Sequence, residues 1–186
     1  NGMVGSAIVR ALKAKGYSLI LCCSNNDREE EVRCINDLLA RNVAGVIVLD
    51  PNTSNINSDF YKSIAKTVPI VFINGHASVE NISSVSNDES IGAEIALKYL
   101  INNNHKNILF IRGENSASYD IKEKKYISML TNSNHYHPSN VINIGKGNGS
   151  ETVDNTIVSV TNFLTKNRKI TAIFACNDLM AVGAIN

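Results

Sequence analysis

Short runs rich in β-branched and aromatic residues recur along the chain, each followed by a segment with helical character. The runs are residues 17–23, 45–49, 69–73, 107–112, 140–144 and 171–176. Their starts lie about 24 to 38 residues apart, the length of a strand, a crossover helix and two turns. Apolar character that is continuous rather than alternating suits strands covered on both faces, as in parallel sheets. Repeated βαβ units take right-handed crossovers. The fold class expected is therefore α/β with parallel sheet, built on six strands, each but the last followed by a complete helix.

The helices carry their own signals. Residues 1–15 place Ile8, Ala11 and Leu12 on one stripe, and Gly16 is a C-cap. Asp27 and the acidic run Glu29 to Glu31 open a second helix, as the helix dipole favours, with Val32, Ile35, Leu38 and Leu39 as its stripe. A short helix is expected at 57–66 and an extended piece at 82–86. The clearest helix runs over 88–104, with Ile91, Ile95, Tyr99 and Leu100 on one face. Two more cover 118–131 and 150–166. The first helix has no strand before it and the last has barely two turns before Asn186, so the sheet architecture is expected to be incomplete at both termini.

Composition excludes several classes. The 186 residues are 44% apolar and 19% charged, ordinary for a globular protein. A formal charge of +1 offers no sequence-wide reason to bind nucleic acid or a membrane surface. No apolar run approaches the roughly 18 residues of a spanning helix, and no secretory leader is expected. Cys22, Cys23, Cys34 and Cys176 lack C-x-x-C spacing. With three of them in expected strands, they read as buried reduced thiols of a cytosolic protein.

Candidate chemistry is sparse. Gly145-Lys-Gly-Asn-Gly149 follows a strand and precedes a helix, but lacks the third-glycine spacing of a dinucleotide loop and reads as a flexible surface turn. His135 and His137 sit in a polar loop without a third metal ligand. The run Lys122 to Lys125 reads as the wet face of a helix. No serine elbow or Ser/His/Asp arrangement appears, so neither an enzyme nor a cofactor is expected. What remains is a set of polar residues following strands: Asn74 after the third, Ser118 and Lys122 after the fourth, Asn177 and Asp178 after the last. Ligands bind at that edge of open α/β sheets. Amides and carboxylates supply donors and acceptors for hydroxyl groups. Asn177 and Asp178 are equally good helix N-caps, and local sequence favours that plainer role.

Five stretches in order resemble the lactose-repressor (LacI/GalR) family of bacterial transcription regulators in its effector-binding core. They are Leu39-Ala-Arg-Asn-Val-Ala-Gly-Val-Ile47, Val68-Pro-Ile-Val-Phe-Ile73, Ser84-Val-Ser-Asn-Asp-Glu-Ser-Ile-Gly92, Asn104-His-Lys-Asn-Ile-Leu-Phe-Ile-Arg-Gly113 and Ala175-Cys-Asn-Asp-Leu-Met-Ala-Val-Gly183. The resemblance implies a periplasmic-binding-protein-like fold of two Rossmann-like subdomains, 1–105 and 106–186, with the crossover near His105 and a small ligand between them. It implies a sugar or sugar-like effector; the ammonium group of Lys122, which can select a phosphate or carboxylate, makes a phosphorylated or acidic sugar the variant. It further implies operator DNA bound through a helix-turn-helix preceding Asn1, a homodimer built on the helices starting at Asn1 and after Asp88, and a cytoplasmic location. Asn177 matches the family's sugar-contacting amide, and Ser118 a Ser/Thr position. Lys122 falls where an effector-gripping Arg is usual, Asn74 where sugar binders often have Asp, and Gly75 where they often have Arg. The alternative is an exported sugar receptor of a transport system, which shares this core; the cysteines and Asn-His-Lys-Asn-Ile favour the regulator.

Overall fold

The computed structural model describes residues 2–25 and 27–186. In chain order the elements are α1 (Gly2–Ala14), α2 (Arg28–Ala40), β1 (Val46–Leu49), α3 (Thr53–Ile56), α4 (Phe60–Ile64), β2 (Ile70–Ile73), β3 (Ser83–Val85), α5 (Glu89–Asn102), β4 (Ile108–Arg112), α6 (Ala117–Asn132), β5 (Val141–Asn143), α7 (Thr152–Lys166), β6 (Ala172–Ala175) and α8 (Asp178–Ile185). Among the described residues they form two three-stranded sheets, ordered β1-β2-β3 and β5-β4-β6, and every pairing is parallel. The α/β class with parallel sheets is thus present.

The chain separates after Val85 into two compact units, each with its own apolar core. In the first, Phe72 of β2 and Tyr61 of α4 meet edge to face with ring centroids 4.8 Å apart, amid Ile35, Val46, Val48 and Ile70. In the second, β4 is central, and Ile108, Leu109, Phe110 and Ile111 are all fully buried. A strand covered on both faces must be apolar at every position, which is why it reads as an unbroken run. Phe110 lies between Tyr126 of α6 and Phe174 of β6, at 4.9 and 5.4 Å between ring centroids. The Tyr126 hydroxyl donates to the Ile108 carbonyl at 2.8 Å, so the buried phenol is not left unpaired.

Several expectations are corrected. Residues 17–23 form no strand; Tyr17, Leu19, Ile20 and Leu21 are exposed, and no described strand pairs with them. An extended segment without a hydrogen-bonded neighbour has nothing to hold its backbone groups. The sixth strand is instead β3, where only an extended piece was expected. The helix expected at 57–66 is present as the shorter α4, and a separate turn of helix, α3, precedes it, capped by Asn52, whose side chain accepts from the Ser54 amide at 3.0 Å. The apolar stripe of α5 does not face the core: Ile91, Ile95 and Tyr99 are 57%, 65% and 69% exposed, whereas Ala93 and Leu97 are buried. Leu97 joins the core of the second unit and α5 packs on α6, so by packing α5 belongs to the second unit. The division therefore falls at Val85 rather than near His105, at the opposite end of this helix. The cysteines are free, but only Cys176 is buried; Cys22 and Cys23 are exposed and Cys34 is half-buried.

Candidate functional site

The carboxyl ends of β4, β5 and β6 lie along one edge of the second sheet, since all three strands are parallel. The turns there lead to α6, α7 and α8, and they carry most of the residues singled out by sequence.

Asn177 is the hub of this edge. Its side-chain oxygen accepts from the Met180 amide at 2.9 Å and caps α8. Its amide nitrogen donates to the Gly147 carbonyl at 2.7 Å, to Asn148 Oδ1 at 2.9 Å and to the Tyr119 hydroxyl at 3.2 Å. One side chain thus ties the β6–α8 turn to the β5–α7 loop and to α6. Asp178 is exposed in the first turn of α8, where a carboxylate suits the helix dipole.

The glycine loop is corrected from a flexible turn to an anchored one. Gly145 accepts through its carbonyl from the Glu114 amide at 2.9 Å, and the Gly149 amide donates to Thr152 Oγ1 at 3.0 Å. Gly147 is buried, and a Cβ there would lie 2.5 Å from the Tyr119 hydroxyl and 2.6 Å from Met180 Cε. Glycine at 147 lets the loop close onto the sheet edge.

A second cluster joins α5, α6 and the end of β6. Lys122 Nζ donates to Ser118 Oγ at 3.0 Å and to the Cys176 carbonyl at 3.1 Å, and forms an ion pair with Glu89 at 3.0 Å. The Ser118 hydroxyl donates to the same Glu89 carboxylate. Beside it, Arg112 donates to the Gly113 carbonyl at 2.9 Å, to Asp120 at 2.6 Å and to Glu123. Burial alone would lower the Arg112 pKa, but its bonds to Asp120 and Glu123 outweigh that and raise it. The run 122–125 is accordingly not a uniformly wet face: Lys122, Glu123 and Lys125 are half-buried and paired, and Lys124 alone of the four is exposed. The Cys176 thiol is pushed up to about 12 by burial, with Lys122 and Arg112 opposing, which keeps it protonated and inert at neutral pH.

In the first unit, Asn74 follows β2 in the left-handed region (φ 60°), a conformation asparagine tolerates. Its amide donates to Asp50 Oδ1 at 2.9 Å, joining the turns after β1 and β2. At Gly75 a Cβ would stand 2.7 Å from Phe72 Cβ, so no larger residue fits there unless its surroundings shift.

The structure thus brings Ser118 and Lys122 into direct contact and sets Asn177 one residue beyond the carbonyl that Lys122 binds. Glu89, Arg112, Tyr119 and Asn148 were not anticipated. Glu89 reads in sequence as an ordinary dipole-favoured acid in a first helical turn, and Asn148 as part of a loose loop; only packing reveals their partners. The chemistry available is amides, hydroxyls and paired charges, groups that can exchange hydrogen bonds with hydroxyls, and none of the residues described at this edge is an activated nucleophile. Among the described residues no group of three His, Cys, Asp or Glu is placed to hold a metal ion, and no helix is long and apolar enough to cross a membrane.

Comparison with known proteins agrees with this picture. The family described as periplasmic binding protein domain matches residues 3–186. Catabolite control protein A of Priestia megaterium is 31% identical over 174 residues, covering 91% of this chain and 50% of that protein. The HTH-type transcriptional repressor PurR of Histophilus somni is 27% identical over 178 residues, with 92% and 50% covered. The chain spans about half the length of these relatives. Among solved structures, the transcription regulator GntR from Chromobacterium violaceum has a TM-score of 0.84 at 17% identity, over 97% of this chain and 64% of that one. A LacI family transcriptional regulator from Lactobacillus casei, with bound sucrose, has 0.79 at 21%, over 97% and 65%. At such identities the structural likeness establishes the fold alone, whereas the sequence relatives are regulators and not enzymes. The chain belongs to the periplasmic binding protein domain family.

Proposed function

We propose that the chain is the effector-binding and dimerisation core of a bacterial transcription regulator, sensing a sugar or sugar-like molecule in the cytoplasm. The observation that carries this reading is similarity to two transcription regulators along nine-tenths of the chain, together with hydroxyl-recognising groups at the sheet edge. Ser118, Lys122, Asn177 and Asp178 are the proposed contacts in the second unit, and Asn74 in the first. Asn177 Nδ2 has two hydrogens for three acceptors, so a ligand hydroxyl can replace the exposed Asn148 without opening the cap or the Gly147 bond. Operator DNA is engaged through a domain outside this sequence, because the +1 chain has no clustered basic recognition helix. The exposed Ile91, Ile95 and Tyr99 on α5 support pairing of two copies there.

The test is calorimetric titration of the full-length protein with a panel of neutral and phosphorylated sugars, alongside operator binding with and without each. One sugar should bind and shift operator affinity. Binding with no effect on operator affinity would favour the exported receptor, and no binding by any sugar in the panel would count against the reading.

A further inference from the structure

The ammonium group of Lys122 has no donor to spare. Its three hydrogens match three acceptors at 3.0 to 3.1 Å: Ser118 Oγ, the Cys176 carbonyl and the Glu89 carboxylate. The two charged side chains are only 20% and 21% exposed, so water screens the pair weakly. Glu89 also accepts from the Ser118 hydroxyl, which commits its one proton; with one lone pair taken by Lys122, the oxygen keeps a single lone pair for a further group. The second cation of the neighbourhood, Arg112, is held by both Asp120 and Glu123. Within these bonded clusters two cations face three carboxylates, an excess of negative charge at the very position where a lysine alone suggests an anion site.

We infer that Glu89 determines the class of ligand: by neutralising Lys122 it makes the Ser118–Lys122 site select an uncharged polyol and reject phosphorylated or acidic sugars. This deepens the proposed effector-binding reading and rests on it. An anionic ligand group could reach Lys122 only by expelling Glu89 from its bonds to Lys122 and Ser118. It would then sit beside the displaced carboxylate in a partly desolvated place, where like charges repel strongly. A neutral hydroxyl needs no such exchange, since it can donate to the Glu89 carboxylate or to the lone pair that Ser118 Oγ keeps, leaving every bond in place. Glu89 therefore acts by occupying the position that an anionic group would otherwise take.

The full-length protein and its Glu89→Gln variant provide the test, with glucose, glucose 6-phosphate, glucuronate and inorganic phosphate as the probes. The glutamine keeps a carbonyl acceptor for Ser118 and Lys122, and a thermal melt of each variant establishes that it folds. In wild type, the neutral sugar should bind at least tenfold more tightly than its phosphorylated or acidic counterpart, and Glu89→Gln should move that ratio at least tenfold toward the anion. Inorganic phosphate at millimolar concentration should raise the melting temperature of Glu89→Gln and not that of wild type. The gain should vanish in Glu89→Gln/Lys122→Gln. A wild-type preference for the anionic sugars, or a ratio unmoved by Glu89→Gln, overturns the inference while leaving sugar sensing intact. Phosphate that protects both proteins equally overturns it even where no sugar in the set binds, the outcome that separately counts against the effector reading.

Discussion

Asn177 uses both ends of its amide, and the two ends have separable consequences. The oxygen caps α8, a contact whose loss costs about 1 kcal/mol. The nitrogen satisfies the carbonyl of buried Gly147, and leaving that acceptor unpaired costs about 1 to 2 kcal/mol more. Asn177→Ala should thus destabilise the second unit by about 2 to 3 kcal/mol, whereas Asn177→Ser, which still caps, should recover about 1 kcal/mol of it. Denaturant unfolding of the three proteins decides this: two variants both within about 0.5 kcal/mol of wild type would mean the clamp carries nothing. Weak sugar binding by Asn177→Ala then has to be read at saturating folding conditions, because the same amide serves structure and, in the proposed function, ligand. Glu31 teaches a related lesson in the first unit. It stands in an acidic run that suits a helix start, yet it is buried and accepts from the Asn52 amide, the Asn55 side chain and the Tyr61 hydroxyl at 2.9, 2.9 and 2.7 Å. Three neutral donors from α3, α4 and the turn before them replace the water a carboxylate would otherwise require.

Between elements, the seam of α5 and α6 is electrostatic as well as apolar. Hydrogen bonds from Lys125 of α6 and Lys98 of α5, with the attraction of both charges, hold the Glu94 carboxyl down to about 2. A folded pKa below the ordinary value near 4.5 means that the unfolded chain binds the proton first on acidification. The stability from these pairs is complete above about pH 4.5 and disappears as pH falls toward 2. Thermal melts of wild type and Glu94→Gln should differ at pH 6 and converge by about pH 2. Because Glu94 is solvent-accessible, added salt should shrink the difference at pH 6. A difference that persists unchanged at pH 2 would show that the substitution acts through packing instead.

Across the whole molecule, two separate cores predict that damage stays local. Phe72→Ala removes the ring against which Tyr61 packs and should weaken the first unit by about 3 to 5 kcal/mol. The core around Phe110 contains none of the same residues. Denaturant unfolding of Phe72→Ala, followed by hydrogen exchange, should therefore reveal protected amides in β4 and α6 after those of β1 and β2 have exchanged. Loss of protection in both units together would mean that they unfold as one.

Much of this was legible in the chain itself. The unbroken apolar runs at β1, β2, β4 and β6 announced parallel strands, because a strand covered on both faces disfavours polar residues on either, while β5, interrupted by Asn143, was legible from its spacing. Asp27, Asp88 and Asn177 marked helix starts, since capping is decided within three residues. The strand-end location of Ser118, Lys122 and Asn177 followed from the same periodicity. Non-local contacts were not legible. Residues 17–23 have strand composition without a strand beside them, and α5 buries Ala93 and Leu97 rather than its larger apolar stripe, because what covers a face depends on distant segments. The pairing of Lys122 with Glu89, 33 residues earlier, is likewise a product of helix packing. Local periodicity and capping reside in sequence neighbours and can be read there, whereas charge balance and burial are sums over neighbours in space, which only the folded chain assembles.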